Sequence, residues 1–362
     1  EALARAASGQ AGIVIGTHAL IQQGVDFADL GLVVVDEQHR FGVEQRDALR
    51  GKAVAPPHVL VMTATPIPRT VAMTVYGDLE TFALRELPAG RSPVSTSVVP
   101  AADRPHWLER AWQRLREEVR AGHQGYVVCP RIGEAAGPDE DGDGAVTDTG
   151  GDVEPDGRRP PLAVLDLAPE LRDGPLAGLR VAALHGRLPA EDKERTMRRF
   201  AAGDLDVLVA TTVVEVGVDV PNATVMVVMD ADRFGVSQLH QLRGRIGRGR
   251  APGLCLLVTE LPEGSPARAR LDSVAATTDG FELARLDLEQ RREGDVLGAA
   301  QSGRRSQLRM LSLLRDEPLI ASAREEATEL VRTDPGLATH PALSAEVAAL
   351  VSNQQAEYLE KV

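Results

Sequence analysis

Three short runs, "AGIVIGT" (11–17), "LGLVVVD" (30–36) and "HVLVMTAT" (58–65), are apolar along almost their whole length and then stop at Thr or Asp. A strand with no polar face has to be covered on both sides, which is the situation of a strand in a parallel sheet with helices above and below it. The same pattern returns in "GYVVCPR" (125–131), "LRVAALHG" (179–186), "LDVLVATT" (205–212) and "ATVMVVMD" (223–230). Between these runs lie helix-like stretches such as 190–202, where Met197 and Phe200 stand at helical spacing. The alternation predicts an α/β protein of two lobes, with functional loops at the carboxyl ends of the strands. Beyond Leu261 the pattern turns helical over 265–278, 282–292 and 308–331, and a Gly-containing loop, "REGDVLGAAQSG" (292–303), interrupts it.

Composition narrows the class. With 362 residues, 43% of them hydrophobic, the chain has material for two to three domain cores. Its apolar runs all fall short of the roughly 18 residues that span a bilayer, and 1–9 reads as the end of an amphipathic helix, without the features of a signal peptide. The first residue is Glu1, so the chain is expected to begin inside a domain. Cys129 and Cys255 each sit in an apolar stretch and read as buried, reduced thiols of a cytoplasmic protein. The net charge of −13 argues against a nucleic-acid partner only superficially. Residues 134–173 hold twelve acidic and three basic groups, so nine of the thirteen excess negative charges lie in that one segment. Within it, about 133–161 is rich in Gly, Asp and Pro and reads as a disordered acidic insertion. Its "DEDGDG" lacks the twelfth-position Glu and the flanking helices of a calcium loop.

The chemistry gathers where the strands stop. In "VVVDEQHR" the apolar run ends in Asp36 and Glu37, whose side chains diverge. One carboxylate can hold Mg²⁺ against phosphates while its neighbour takes a proton from an attacking water, the division of labour nucleotide hydrolysis requires. In "QLRGRIGRG" (241–249), Arg245 and Arg248 stand three apart in what looks like the start of a helix, among small residues that allow close backbone approach to a ligand. The glycines there do not follow the first strand of a βαβ unit, so a dinucleotide fingerprint is a poor reading.

With "DEQH", "TAT" and "QLRGRIGRG" in this order, the chain resembles the superfamily 2 helicases and translocases. Longer strings, "VVVDEQHRFGVEQR", "MTATPIPRT", "ATTVVEVGVDVPNAT", "DADRFGVSQLHQLRGRIGRG" and "DGFELARLDLEQRREGDVLGAAQSG", are similar to the RecG family of bacterial ATP-dependent DNA helicases. The resemblance covers nearly the whole chain outside the acidic insertion and the last thirty or so residues. It implies tandem RecA-like lobes, the first truncated, followed by a C-terminal helical translocation motif. The corresponding domains are 1–97, 98–262 and 263–362. ATP and Mg²⁺ are the implied cofactors, with Asp36 as metal ligand and Glu37 as general base. Gln38 and His39 would relay nucleotide state, Thr63 and Thr65 would couple hydrolysis to motion, and Arg245 and Arg248 would act as arginine fingers. Gln241, Gly217 and Asp219 would line the same cleft. Thr17, His185, Arg187, Thr211 and Thr212 would lie on the strand-tracking face, and Arg291, Arg292 and Gln301 in the translocation motif. At Arg292 or Glu293 the family usually has Gly or Pro. The implied partners are branched DNA (forks, Holliday junctions and D-loops) and single-stranded DNA-binding protein; a monomer with no membrane association is expected.

No Gly-x-x-x-x-Gly-Lys-Ser/Thr segment occurs, and the three lysines are Lys52, Lys193 and Lys361. The phosphate-cradling loop, and the family's junction-splitting wedge domain, are expected upstream of Glu1, which would leave this chain alone inactive. Two alternatives stay open: the motor of a transcription-repair coupling factor, and an inactive DNA-binding fragment. About sixty residues follow Gly303, a length that suits RecG.

Overall fold

The computed structural model describes residues 1–20, 24–36, 57–63, 82–84, 92–133, 159–212, 219–290 and 316–349. The chain divides into two compact units, one of Glu1–Phe41, Gln45–Pro66 and Ala83–Asp287, the other of Gly42–Glu44, Ile67–Phe82 and Leu288–Val362.

The first unit is α/β with parallel sheets, the fold class the sequence predicts. After a short helix, α1 (Ala2–Ala7), strands β1 (Leu32–Val35) and β2 (His58–Val61) pair in parallel, Leu32 opposite His58 and Val35 opposite Val61. The run 11–17 is not a strand: it joins no sheet, with Ile13 84% and Ile15 93% exposed. Apolar content alone does not make a strand, because the backbone needs a neighbouring strand to bond, and among the described residues this run has none.

A second sheet carries most of the core. Its strands are β3 (Val94–Pro100), β4 (Gln124–Val128), β5 (Val181–Leu184), β6 (Val207–Ala210), β7 (Ala223–Val228) and β8 (Gly253–Thr259), all parallel in the order β3-β8-β7-β4-β6-β5. The central strands β4, β6 and β7 are buried at every position, and alternate side chains feed opposite cores, as the period of two requires. Val127, Val209, Val225 and Val227 face one side, against Trp112 and Leu115 of α2 (Pro105–Arg120) and Leu167 and Leu171 of α3 (Val164–Asp173). Tyr126, Leu208 and Met226 face the other. That side is covered by α4 (Ala190–Ala201), α5 (Val236–Arg243), α6 (Pro266–Ala276) and α7 (Gly280–Gln290), which contribute Phe200, Leu239, Leu271 and Leu283. Cys129 and Cys255 are free and buried, as expected, and burial pushes both thiols up to about 12.

In the second unit, α8 (Glu317–Thr333) is followed by a turn built on Asp334. Its carboxylate accepts from the Ala338 and Thr339 amides at 2.9 and 2.8 Å and from Thr339 Oγ1 at 2.6 Å. Most of the acidic insertion, 134–158, and the translocation loop lie outside the described residues.

Candidate functional site

Helix α5 returns the chain from the carboxyl edge of the six-stranded sheet to its amino edge, and that reversal sorts the candidate residues into two groups. Val236, Leu239 and Leu242 bury one face of α5 in the core. The helix ends at Arg243, so Arg245 and Arg248 stand in the turn beyond it; the expectation that they begin a helix is corrected. The stop is built by packing. Gly247 adopts φ +68°, its carbonyl accepts from the Ser92 amide at 3.3 Å, and the Gly249 carbonyl accepts from Ser92 Oγ at 3.0 Å. Ser92 precedes β3 and Pro221, which also packs here, precedes β7. The arginine turn therefore sits at the amino edge.

Asp219 is there too. Its Oδ1 lies 3.4 Å from Arg248 Nη1, and Arg248 Nε donates to the Gly244 carbonyl at 2.9 Å. Burial pushes the Tyr126 phenol of β4 up to about 12, while Arg245 and Arg248 pull it down and Asp219 raises it, so three charged candidates act on one buried hydroxyl. Gln241, half-buried on α5, lies one turn before Arg245.

At the opposite, carboxyl edge, His185 follows β5 and Thr211 follows β6, one residue past the registered pair Leu184 and Ala210. His185 is 8% exposed with Nδ1 buried and lacking a hydrogen-bond partner. Burial, then the charges of Arg187 and Lys193, hold its pKa below the ordinary value, so the ring is neutral at pH 7. Arg187 is exposed, Thr211 buried and Thr212 half-buried.

In the smaller sheet, Asp36 and Thr63 share the carboxyl end of β1 and β2, where the Met62 amide donates to the Val35 carbonyl at 2.8 Å. Asp36 is exposed. Mg²⁺ keeps several waters and takes one or two carboxylates plus phosphate oxygens, so an exposed strand-end carboxylate suits it. Among the described residues no group of three or more potential metal ligands occurs. Thr17 is exposed and its carbonyl opens a 3₁₀ turn, His18–Leu20. Glu37, Gln38, His39, Thr65, Gly217, Arg291, Arg292 and Gln301 lie outside the described residues.

Two further clusters carry no sequence expectation. Arg243 is 4% exposed and donates to the Val274 and Thr277 carbonyls at 2.9 and 2.7 Å, capping the end of α6. Asp230, at the end of β7, is 5% exposed and holds φ 49° and ψ 46°. Arg159 grips it through both terminal nitrogens, at 3.1 and 2.6 Å, and the Leu162 amide donates to it at 2.8 Å. The available signal was the basic pair Arg158 and Arg159 inside an otherwise acidic insertion.

Three family models match the chain: "DEAD/DEAH box helicase" over 1–74, "Helicase conserved C-terminal domain" over 164–250, and "ATP-dependent DNA helicase RecG, domain 3, C-terminal" over 277–350. The ATP-dependent DNA helicase RecG of Mycobacterium tuberculosis is 58% identical over 360 residues, 99% of this chain and 46% of the relative. That of Bacillus subtilis is 42% identical over 334 residues, 92% of this chain and 45% of the relative. A solved structure of RecG bound to a three-way DNA junction is 37% identical, with a TM-score of 0.59, over 88% of this chain and 37% of that one. Fold and sequence together define RecA-like helicase lobes of superfamily 2. The chain belongs to the RecG family of ATP-dependent DNA helicases. It spans about half the length of the curated relatives it matches.

Proposed function

We propose that the chain is the motor region of an ATP-dependent DNA translocase that drives branch migration and regression of stalled forks and Holliday junctions in repair and recombination. The observation that carries the reading is identity to RecG helicases along 99% of the chain. The separation of Asp219, Arg245 and Arg248 from His185, Arg187, Thr211 and Thr212 at opposite edges of one sheet supports it. A motor needs its nucleotide and its strand held at different places on one rigid body, so that a change at one is felt at the other.

In this reading Asp36 would hold Mg²⁺, which would supply neutralisation of phosphate charge, and Glu37 would accept the proton of the attacking water. Arg245 and Arg248 stabilise charge developing on the transferred phosphoryl group, with Asp219 and the Gly244 carbonyl aiming Arg248. Gln241 and Gly217 line the cleft. Gln38, His39, Thr63 and Thr65 link nucleotide state to motion. Thr17, His185, Arg187, Thr211 and Thr212 meet strand phosphates, and Arg291, Arg292 and Gln301 act in translocation. The domains are 1–97, 98–262 and 263–362, the protein works as a cytoplasmic monomer, and single-stranded DNA-binding protein is a partner. The RecG-specific model over 277–350 favours this reading over a coupling-factor motor.

The test is junction-stimulated ATP hydrolysis by the intact gene product and its Glu37→Gln variant. Loss of hydrolysis with retained ATP binding is expected; wild-type turnover by the variant refutes the assignment of the base. Residues 1–362 contain no Walker A segment and are expected to release no phosphate on their own.

A further inference from the structure

We propose that Arg159 is a positioning residue for the arginine turn, acting through Asp230 on the connection that launches α5. The inference rests on the reading that Arg245 and Arg248 serve nucleotide hydrolysis.

Asp230 is under two constraints at once. A non-glycine residue in the left-handed region is strained, and a buried carboxylate is expensive unless paired. Arg159 meets the second with two charge-assisted bonds, and the Leu162 amide adds a third. The same guanidinium reaches beyond β8, where Arg159 Nε lies 3.0 Å from both carboxylate oxygens of Glu260. The Arg159 carbonyl accepts from Arg233 Nη2 at 3.0 Å. One residue thus joins the ends of β7 and β8 to the 3₁₀ turn Ala231–Arg233.

That turn leads directly into α5. Only Phe234 and Gly235 intervene before Val236, and the helix is eight residues long, with Val236, Leu239 and Leu242 locked in the core. A short, packed helix moves as a rigid body, so a shift of its first turn is delivered to its far end. There stand Gln241, Arg245 and Arg248. A second anchor holds the connection: Thr259 Oγ1 donates to Asp232 Oδ1 at 2.6 Å and Arg270 Nη2 to the Asp232 carbonyl at 2.6 Å. With that anchor in place, losing Arg159 should displace the turn without unfolding the sheet.

Arg159 also stands at the root of the acidic insertion. The other root is tied beside it, with the Val164 and Leu165 amides donating to the carbonyls of Arg131 and Ile132, both at 2.9 Å. Arg159 thus grips Asp230 from just ahead of this tie.

The test uses junction-stimulated ATP hydrolysis by the intact gene product carrying Arg159→Ala, Asp230→Asn or both. Asn tolerates the left-handed region and still accepts from Leu162, so this variant keeps the fold while losing the charge pair. Each single variant is expected to lower kcat about tenfold, with KM for ATP and junction affinity within about threefold. The double variant should be no worse than either single one. Arg180→Ala, which breaks the pair with Asp206 (2.5 Å) between the starts of β5 and β6, should leave kcat within about twofold. The proposal is overturned if Arg159→Ala keeps kcat within twofold, if Arg180→Ala lowers kcat equally, or if the double variant shows independent, multiplying losses. Arg245→Ala separates the two ideas: full turnover by that variant sinks the reading of the site, whereas its inactivity beside a fully active Arg159→Ala sinks only the role of Arg159.

Discussion

Arg248 and Asp219 pair at 3.4 Å at the amino edge of the six-stranded sheet, and the same guanidinium is fixed to the Gly244 carbonyl. The pair is open to water, with side chains 31% and 57% exposed. It should therefore contribute below about 1 kcal/mol to stability. Its value would lie in direction. Asp219→Ala is expected to leave the denaturation midpoint nearly unchanged while lowering ATP turnover of the intact protein several-fold; equal turnover would deny Asp219 any part in aiming Arg248.

Arg243 behaves in the opposite way. It stands in the same "QLRGRIGRG" string as Arg245 and Arg248 yet is buried, bonded to the last carbonyls of α6 and, at 2.9 Å, to His240 Nδ1. Removing it strands a buried carbonyl, that of Val274, and a half-buried one, that of Thr277. Arg243→Ala should cost about 2–4 kcal/mol in chemical denaturation, and a loss under about 0.5 kcal/mol would show that the cap does not hold α6.

This contrast shows what the sequence exposes and what it hides. Fully buried central strands announce themselves: β6 and β7 fall inside the apolar runs that predict them, and β4 starts one residue ahead of its run, at Gln124. The edge strand β3, "VSTSVVP", carries exposed Ser95 and Ser97 on its open face and so lacks an unbroken apolar signature. Conversely, 11–17 has the signature but no partner strand among the described residues. Candidate residues placed at a strand end, such as Asp36 and His185, are legible because strand ends are. The Arg159–Asp230 pair spans 71 positions and depends on a left-handed backbone, neither of which a linear pattern encodes.

His185 gives a pH signature. Its folded pKa lies below the unfolded value near 6.5, through burial first and then Arg187 and Lys193. The unfolded chain therefore binds the proton more readily, and stability should fall as pH drops from above 6.5 toward the folded pKa. His185→Asn should flatten that part of the profile. NMR titration checks the premise: a His185 pKa at or above 6.5 in the absence of DNA would contradict the buried, neutral ring.

Asp334 titrates in the other direction. Hydrogen bonds from the Thr339 hydroxyl, the Thr339 amide and the Ala338 amide lower it to about 2. A depressed carboxylate stabilises the turn above its unfolded pKa, near 4, and that contribution is lost as pH falls through about 2. Thr339→Val removes the leading bond and should raise the Asp334 pKa measurably by NMR; an unmoved titration would assign the depression to the two amides.

The glycines of the arginine turn make the last prediction. Their spacing suggests room for a ligand, but the structure shows the backbone approaching its own protein. A Cβ on Gly249 would sit 2.4 Å from the Pro221 carbonyl oxygen, and one on Gly247 would meet Val94 Cγ2 at 2.7 Å from an already left-handed backbone. The Pro221 oxygen belongs to the main chain leading into β7, so it cannot rotate aside as a side chain could. Gly249→Ala must therefore push the turn off the amino edge, carrying Arg248 with it, at a cost of about 3 kcal/mol or more. Gly122 offers the matched comparison: its φ is +89° but nothing lies within 4 Å of an added Cβ. Gly122→Ala should cost about 1 kcal/mol in torsion alone. Denaturation of the two variants side by side separates close packing from backbone strain, and equal losses would mean that contact with Pro221 does not shape the turn.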